Sequence, residues 1–344
     1  MDQKEKANYL AYFNGDRGAT RTPADYQRRD DASHIYHNTR DYSEWWYVDA
    51  SFTNGYHVVA TYHYRNFFLP GMIPTLQFFI YRPDGMRVDR YEVCDQNKIS
   101  ADPNYCDVRM GKSAIRDCGD HYVASMDIKG DGFELVMKNA VPPWKPGTGF
   151  NYKNEENGKV AGWVVPVPAA RVEGVLRLKG ETMSVQGYGY HDHNWGNYHT
   201  SETFRGWYWG RVHHERYSID YGWVLPRDEA MPVVSPLLLA RNGEIILSTD
   251  IMSARMEDFR VDEKTGQRYP VKQVFSTDVL GVRMELSITT HRVVEQMTLP
   301  RITEWEQYYM RFIAGYELFV SADGEEETIK GEMLHEYVIL HPGE

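Results

Sequence analysis

The densest chemistry in this 344-residue chain lies between Gln186 and His199, where the order is Gln-Gly-Tyr-Gly-Tyr-His-Asp-His-Asn-Trp-Gly-Asn-Tyr-His. In an extended stretch, successive side chains alternate faces. His191, His193 and Trp195 then share one face, and Tyr188, Tyr190 and Asp192 the other. Glycines opposite large aromatics mark a strand whose backbone something approaches closely, either a ligand or another sheet. Two histidines on one face also suit a metal, with His199 or an acid as third ligand, yet no residue at hairpin or helical spacing supplies that third. The plainer alternative is a hydrogen-bonded interior pair that orients Asp192 or a tyrosine.

The next stretch, Arg205-Gly-Trp-Tyr-Trp-Gly-Arg-Val-His-His-Glu-Arg-Tyr-Ser-Ile-Asp-Tyr-Gly, reads as a hairpin. With His214-Glu215 as its turn, Trp209 faces Asp220 and Arg211 faces Ser218. One face then carries Trp207, Trp209, Arg211 and Asp220, an aromatic wall with a single carboxyl group. A carboxyl buried against indole has a raised pKa and is a candidate proton donor. The competing reading is an Asp220–Arg211 ion pair that only stabilises the hairpin. Further upstream, Glu44-Trp45-Trp46-Tyr47 opens a strand in which one tryptophan must face inward, as a core plug or a ligand contact. Glu44 shares the face of Trp46, and if buried it needs a partner, Arg65 and Arg205 being candidates.

These groups must be carried by strands. From Glu44 onward, short β-rich runs alternate with turn signals such as Thr53-Asn54-Gly55, Pro83-Asp84-Gly85 and Asn242-Gly243. Helical periodicity is confined to Leu299–Tyr309, and residues 141–158 read as a long loop over a cavity mouth. About sixteen strands in two sets predict an all-β protein of two barrel-like or sandwich-like domains, 41–198 and 199–344, behind a polar arm of residues 1–40. Aromatics make up 14% of the chain, which fits strands around an aromatic-lined cavity.

A net charge of -11 disfavours nucleic acid and anionic membranes as partners. No apolar run reaches the ~20 residues of a spanning helix, and the expectation is a soluble, cytoplasmic protein. Cys94, Cys106 and Cys118 are too few for a disulfide framework and are read as reduced. Nucleotide-binding and common hydrolase motifs are absent, so the reading calls for no cofactor and no metal.

Glu44-Trp45-Trp46-Tyr47 and Tyr190-His191-Asp192-His193-Asn194-Trp195-Gly196 together resemble the two motifs of the carotenoid 1,2-hydratase (hydroxyneurosporene synthase) family and its AttH-like relatives. The similarity extends over most of the chain from about Tyr42. It implies two lipocalin-like β domains and cofactor-free chemistry on apolar molecules, since the superfamily includes both hydratases and pericyclases. It also implies functional roles for His193, Trp195 and a downstream acid, here Asp220. Where the resemblance implies a tyrosine just before that acid, Ser218 stands two residues upstream, with Tyr217 and Tyr221 flanking.

The resulting expectation is a lyase or isomerase acting by acid–base chemistry on an isoprenoid-like or aromatic small molecule. Its catalytic residues are Asp220, His193 and Asp192, and its substrate contacts are Trp195, Trp209, Trp207, Tyr190, Trp46, Tyr217, Arg211 and Glu44. A Diels-Alderase-type pericyclase or a non-catalytic carrier would use the same aromatic walls.

Overall fold

The computed structural model describes residues 18–22, 26–34, 41–299 and 307–340. The described chain is almost entirely antiparallel β and divides into two compact units. The first comprises the described residues of 26–145 and 149–199, and the second those of 18–22, 146–148 and 200–340. Each is a curled, lipocalin-like half-barrel.

In the first domain the strands lie side by side in the order Arg87–Val93, Thr75–Tyr81, His57–Arg65, Ser43–Phe52, Glu181–Gly196, Val160–Leu178, Asp131–Asn139, Tyr122–Ile128, Ser113–Asp117, Asp107–Met110 and Ile99–Ala101. Phe150–Lys153 adds to the edge of Val160–Leu178, so part of the stretch expected as loop is strand. Period-two alternation builds the core: Tyr122, Ala124, Met126 and Ile128 are buried while the residues between them are half-exposed. They pack with Val48, Ala50, Val58, Phe78 and Phe133. The ladder between Val160–Leu178 and Glu181–Gly196 slips twice, between Val164 and Val167 and again before Ala170. Pro166 and Pro168 stand in these gaps, where a residue without an N–H cannot complete a ladder.

In the second domain the order is Ala19–Thr20, Glu244–Thr249, Leu237–Arg241, Tyr217–Pro226, Phe204–His213, Glu325–Ile339, Gln307–Ala322, Val282–Leu299, Arg268–Val279 and Ser253–Val261. Asn242 and Gly243 have φ of 53° and 83°, the left-handed pair that a tight two-residue hairpin turn requires. The helix read at Leu299–Tyr309 does not form where it is described: Leu299 ends one strand, Gln307 opens the next, and residues 300–306 lie outside the described residues. The Gln307–Ala322 strand is buried from Gln307 through Ala314, with no exposed face to give a helical pattern its meaning.

The stretch read as an arm contributes structure. Residues 1–17, 23–25 and 35–40 lie outside the described residues, but Ala19–Thr20 pairs with Glu244–Thr249, and Arg28–Asp31 forms a 3-10 turn in the first domain. Among the described residues no helix is long and apolar enough to cross a membrane.

Candidate functional site

Glu181–Gly196 and Ser43–Phe52 are neighbours, and their register sets His193 opposite Trp46, His191 opposite Val48 and Trp195 opposite Glu44. Paired residues share a face. The two motifs therefore meet, with His191, His193, Trp195, Glu44 and Trp46 all turned toward the core of the first domain.

Glu44, His191 and one nitrogen of His193 are held by hydrogen bonds. Glu44 accepts from Ser33 Oγ at 2.9 Å, from the His34 backbone N–H at 2.7 Å and from Tyr42 OH, while His193 Nε2 lies 3.1 Å from its Oε1. Of the arginines expected for Glu44, Arg65 stands opposite it in the backbone ladder and Arg205 pairs with Glu229. The other ring nitrogen of His193 is 3.4 Å from Asp31 Oδ1. His191 donates from Nδ1 to the Tyr47 carbonyl at 2.8 Å, and its Nε2 lies 3.1 Å from Asp31 Oδ2, which also accepts from Tyr122 OH.

Burial and charge compete here. Burial pushes the His193 imidazolium down, but the hydrogen bonds to Asp31 and Glu44 outweigh it and leave its pKa raised. For Asp31, burial alone would raise the carboxyl, yet His191 and then His193 hold it below the usual carboxylate range. Trp46 stacks on His193 at 4.3 Å, an aromatic face against a group that favours its cation. His34 stacks on Trp195 at 3.8 Å and is pushed down to about 4, by burial first and by the His193 charge second. Both nitrogens of His193 face carboxylates, Nε2 within hydrogen-bonding distance of Glu44 and Nδ1 in the longer contact with Asp31. The indole N–H of Trp195 has no acceptor among the described residues. Gly162 lies beneath that indole, so close that a Cβ there would come within 2.2 Å of the ring.

Metal-ligand geometry gathers on a different set from the one the sequence suggested. Asp31, Cys106 and His191 each present one ligand atom, all within 4.8 Å of one another. The hydrogen bonds of Asp31 Oδ2 account for that proximity, and Cys106 is a thiol whose pKa is pushed far up by burial and then by the Asp31 charge.

Tyr190 and Asp192 lie on the reverse face of the same strand. Asp192 accepts from Trp163 Nε1 at 3.0 Å, Tyr190 OH at 2.9 Å and Asn194 Nδ2 at 2.9 Å. Three donors converge on this one carboxylate, which serves them as acceptor.

In the second domain the hairpin forms in a register different from the expected one. His214 N–H bonds the Tyr217 carbonyl, so the turn residues are Glu215-Arg216 and not His214-Glu215. Arg211 therefore faces Asp220, and Trp209 faces Gly222. The shift is two residues, which preserves the faces: Trp207, Trp209, Arg211 and Asp220 still stand together, with Trp209, Arg211 and Asp220 buried. Tyr217 lies on the other face, packed into the core with Ile219 and Tyr221.

Sequence reasoning missed a charged network continuing that face. Trp209 pairs with Glu336, Glu336 with Arg311 and Arg311 with Glu295 across four strands. Arg311 bonds Glu295 at 2.9 Å and lies 3.5 Å from Glu336, which also receives Tyr309 OH and Trp207 Nε1. It also missed Asp31, Ser33 and His34, which sit in a polar segment without periodicity. No local signal connects them to histidines about 160 residues away.

Residues 120–295, just over half of the chain, match the Diels-Alderase-like family. The chain belongs to that family. The Diels-Alderase-like chain is 24% identical over 172 residues to a hydroxyneurosporene dehydrogenase of Chlorobaculum tepidum, covering 48% of this chain and 42% of that relative. The chain thus spans well under half the length of this curated relative. Its fold is shared with a putative AttH from Nitrosomonas europaea at 17% identity and a TM-score of 0.66, over 92% of this chain and 96% of that one. Kievitone hydratase from Nectria haematococca shares it at 14% identity and a TM-score of 0.61, over 93% and 94%. The two-motif resemblance to the carotenoid hydratase and AttH-like group agrees with these likenesses.

Proposed function

We propose that the protein is a cofactor-independent lyase or isomerase that hydrates, dehydrates or cyclises an apolar, isoprenoid-like or aromatic small molecule. The observation that carries the reading is the face shared by Trp207, Trp209, Arg211 and Asp220, where indoles and a buried carboxylate–guanidinium row stand side by side. A reaction that develops positive charge on a hydrocarbon needs aromatic faces, a fixed counter-charge and exclusion of bulk water. Asp220 is the proton-transferring group in this reading, and Trp207 and Trp209 are the walls. In the first domain, the His193 network is assigned the positioning of Trp195.

The position of Arg211 supports a second reading. A carboxylate beside a guanidinium is favoured as its anion, which has no proton to give and is a weak base. In a pericyclic cyclisation no proton moves, and the walls act by holding the substrate near its reactive fold. The Diels-Alderase-like family supports this reading too.

Turnover of candidate polyenes in heavy water separates the two. Proton transfer places deuterium on product carbon, and Asp220→Asn then loses ~100-fold to ~10,000-fold in rate while melting near the wild type. Product formed without deuterium supports the pericyclic reading. Tight binding of polyenes with no turnover of any would make the protein a carrier and sink both.

A further inference from the structure

Gln307 is fully buried, and neither its amide oxygen nor its amide nitrogen has a hydrogen-bond partner among the described residues. Buried carboxamides without partners are rare because each unpaired donor or acceptor forfeits its hydration for nothing. Such a group is stable where something else completes it.

Its position says what that something is. Along Gln307–Ala322, alternation sets Gln307, Tyr309 and Arg311 on one face, while Met310 and Phe312 pack on the other against Tyr269. The face of Gln307 is the face of the indole wall: Tyr309 OH and Trp207 Nε1 donate to the two oxygens of the same Glu336. Arg311 is already engaged by Glu295 and Glu336. Two carboxylates against one guanidinium repel an anion, and a carboxamide with an open N–H and an open C=O carries no charge with which to hold a cation. What suits the Gln307 amide is a neutral group that both gives and takes a hydrogen bond.

We infer that Gln307 binds the polar end of the substrate, a hydroxyl or comparable neutral group on an otherwise apolar molecule whose hydrocarbon lies along Trp207. The inference rests on the reading of that face as the substrate site, and it narrows the substrate class from hydrocarbons to their oxygenated derivatives.

The test compares farnesol with β-farnesene, which share a carbon skeleton, the hydrocarbon lacking the hydroxyl and carrying one more double bond, by quenching of tryptophan fluorescence in the protein. The wild type is expected to bind the alcohol about tenfold more tightly, the upper end of what one neutral hydrogen bond supplies. Gln307→Met and Gln307→Leu are expected to lose that preference while melting at or above the wild-type temperature, since each removes an unsatisfied amide from the interior. Equal binding of both ligands by the wild type overturns the inference and leaves the apolar site standing. A retained preference in both variants also overturns it, as does a large drop in melting temperature in both, which would make Gln307 structural. Failure of the wild type to bind either ligand overturns the substrate-site reading and the inference with it.

Discussion

His193 and Glu44 are 149 residues apart in sequence, and the His193 Nε2 to Glu44 Oε1 contact of 3.1 Å joins the two motifs inside the first domain. Both residues are fully buried, so the contact is part of the interior and not an ornament of its surface. Replacing Glu44 with Ala strands Ser33 Oγ, the His34 N–H, Tyr42 OH and a raised-pKa imidazole at once. Removing one partner from a buried charged pair costs about 3–5 kcal/mol. Urea unfolding of Glu44→Ala is expected to show a loss of that size, with Glu44→Gln milder because it keeps the volume and one acceptor. A change within about 1 kcal/mol would mean that the cluster is not held together by Glu44.

Acid should destabilise the protein below about pH 6.5. Burial lowers His63 and His335 from 6.5 to about 3, and burial with the His193 charge lowers His34 to about 4. Unfolded, the three protonate near 6.5, so between that pH and about 4 the unfolded chain binds more protons and stability falls as pH drops. Asp31, lowered from 3.8, adds a further loss as pH falls below that value. His193 has the opposite sign: its raised pKa contributes fully below 6.5, and that contribution is lost as pH rises through the raised value. Melting temperatures from pH 4 to 8 are expected to fall steeply on the acid side, and His335→Leu to reduce the slope. A flat acid limb would contradict the buried neutral state of these rings.

Gly162 is required by the indole of Trp195. Gly162→Ala places a methyl group 2.2 Å from that ring and must displace either the strand or the indole. Overpacking of this kind costs about 1–3 kcal/mol. The expected result is a lower melting temperature with a changed tryptophan emission, since Trp195 leaves its stack on His34. Unchanged stability and emission would show that the two strands separate freely at this point.

Arg311 sits between Glu295 and Glu336 with almost no exposure. Arg311→Met leaves two carboxylates without their cation, at a cost of about 3–5 kcal/mol. Adding Glu295→Leu removes one of them and is expected to restore part of the loss, so the two changes should be non-additive in a double-mutant cycle of chemical denaturation. Simple additivity would show that Arg311 and Glu295 act independently.

Much of this architecture was legible locally. Turn chemistry at Asn242-Gly243 depends on neighbours two or three residues away, and that turn appears as read. The hairpin after Phe204 shows the limit. Its faces were correct because parity survives a two-residue slip, but its partners were wrong. The turn settled on Glu215-Arg216, which brings Arg211 opposite the buried Asp220 and lets Trp209 face Gly222.

The sequence by itself determined the all-β class, the two motifs, and the face on which His191, His193 and Trp195 stand, because side-chain direction in a strand is a property of the strand alone. Only the tertiary structure decided what those side chains meet. Asp31 reaches His191 across 160 residues, and Glu295, Arg311 and Glu336 converge from three strands. A buried charge is tolerable only where such partners close around it, and which partners close is set by the packing of whole sheets, a long-range choice that no short window of residues encodes.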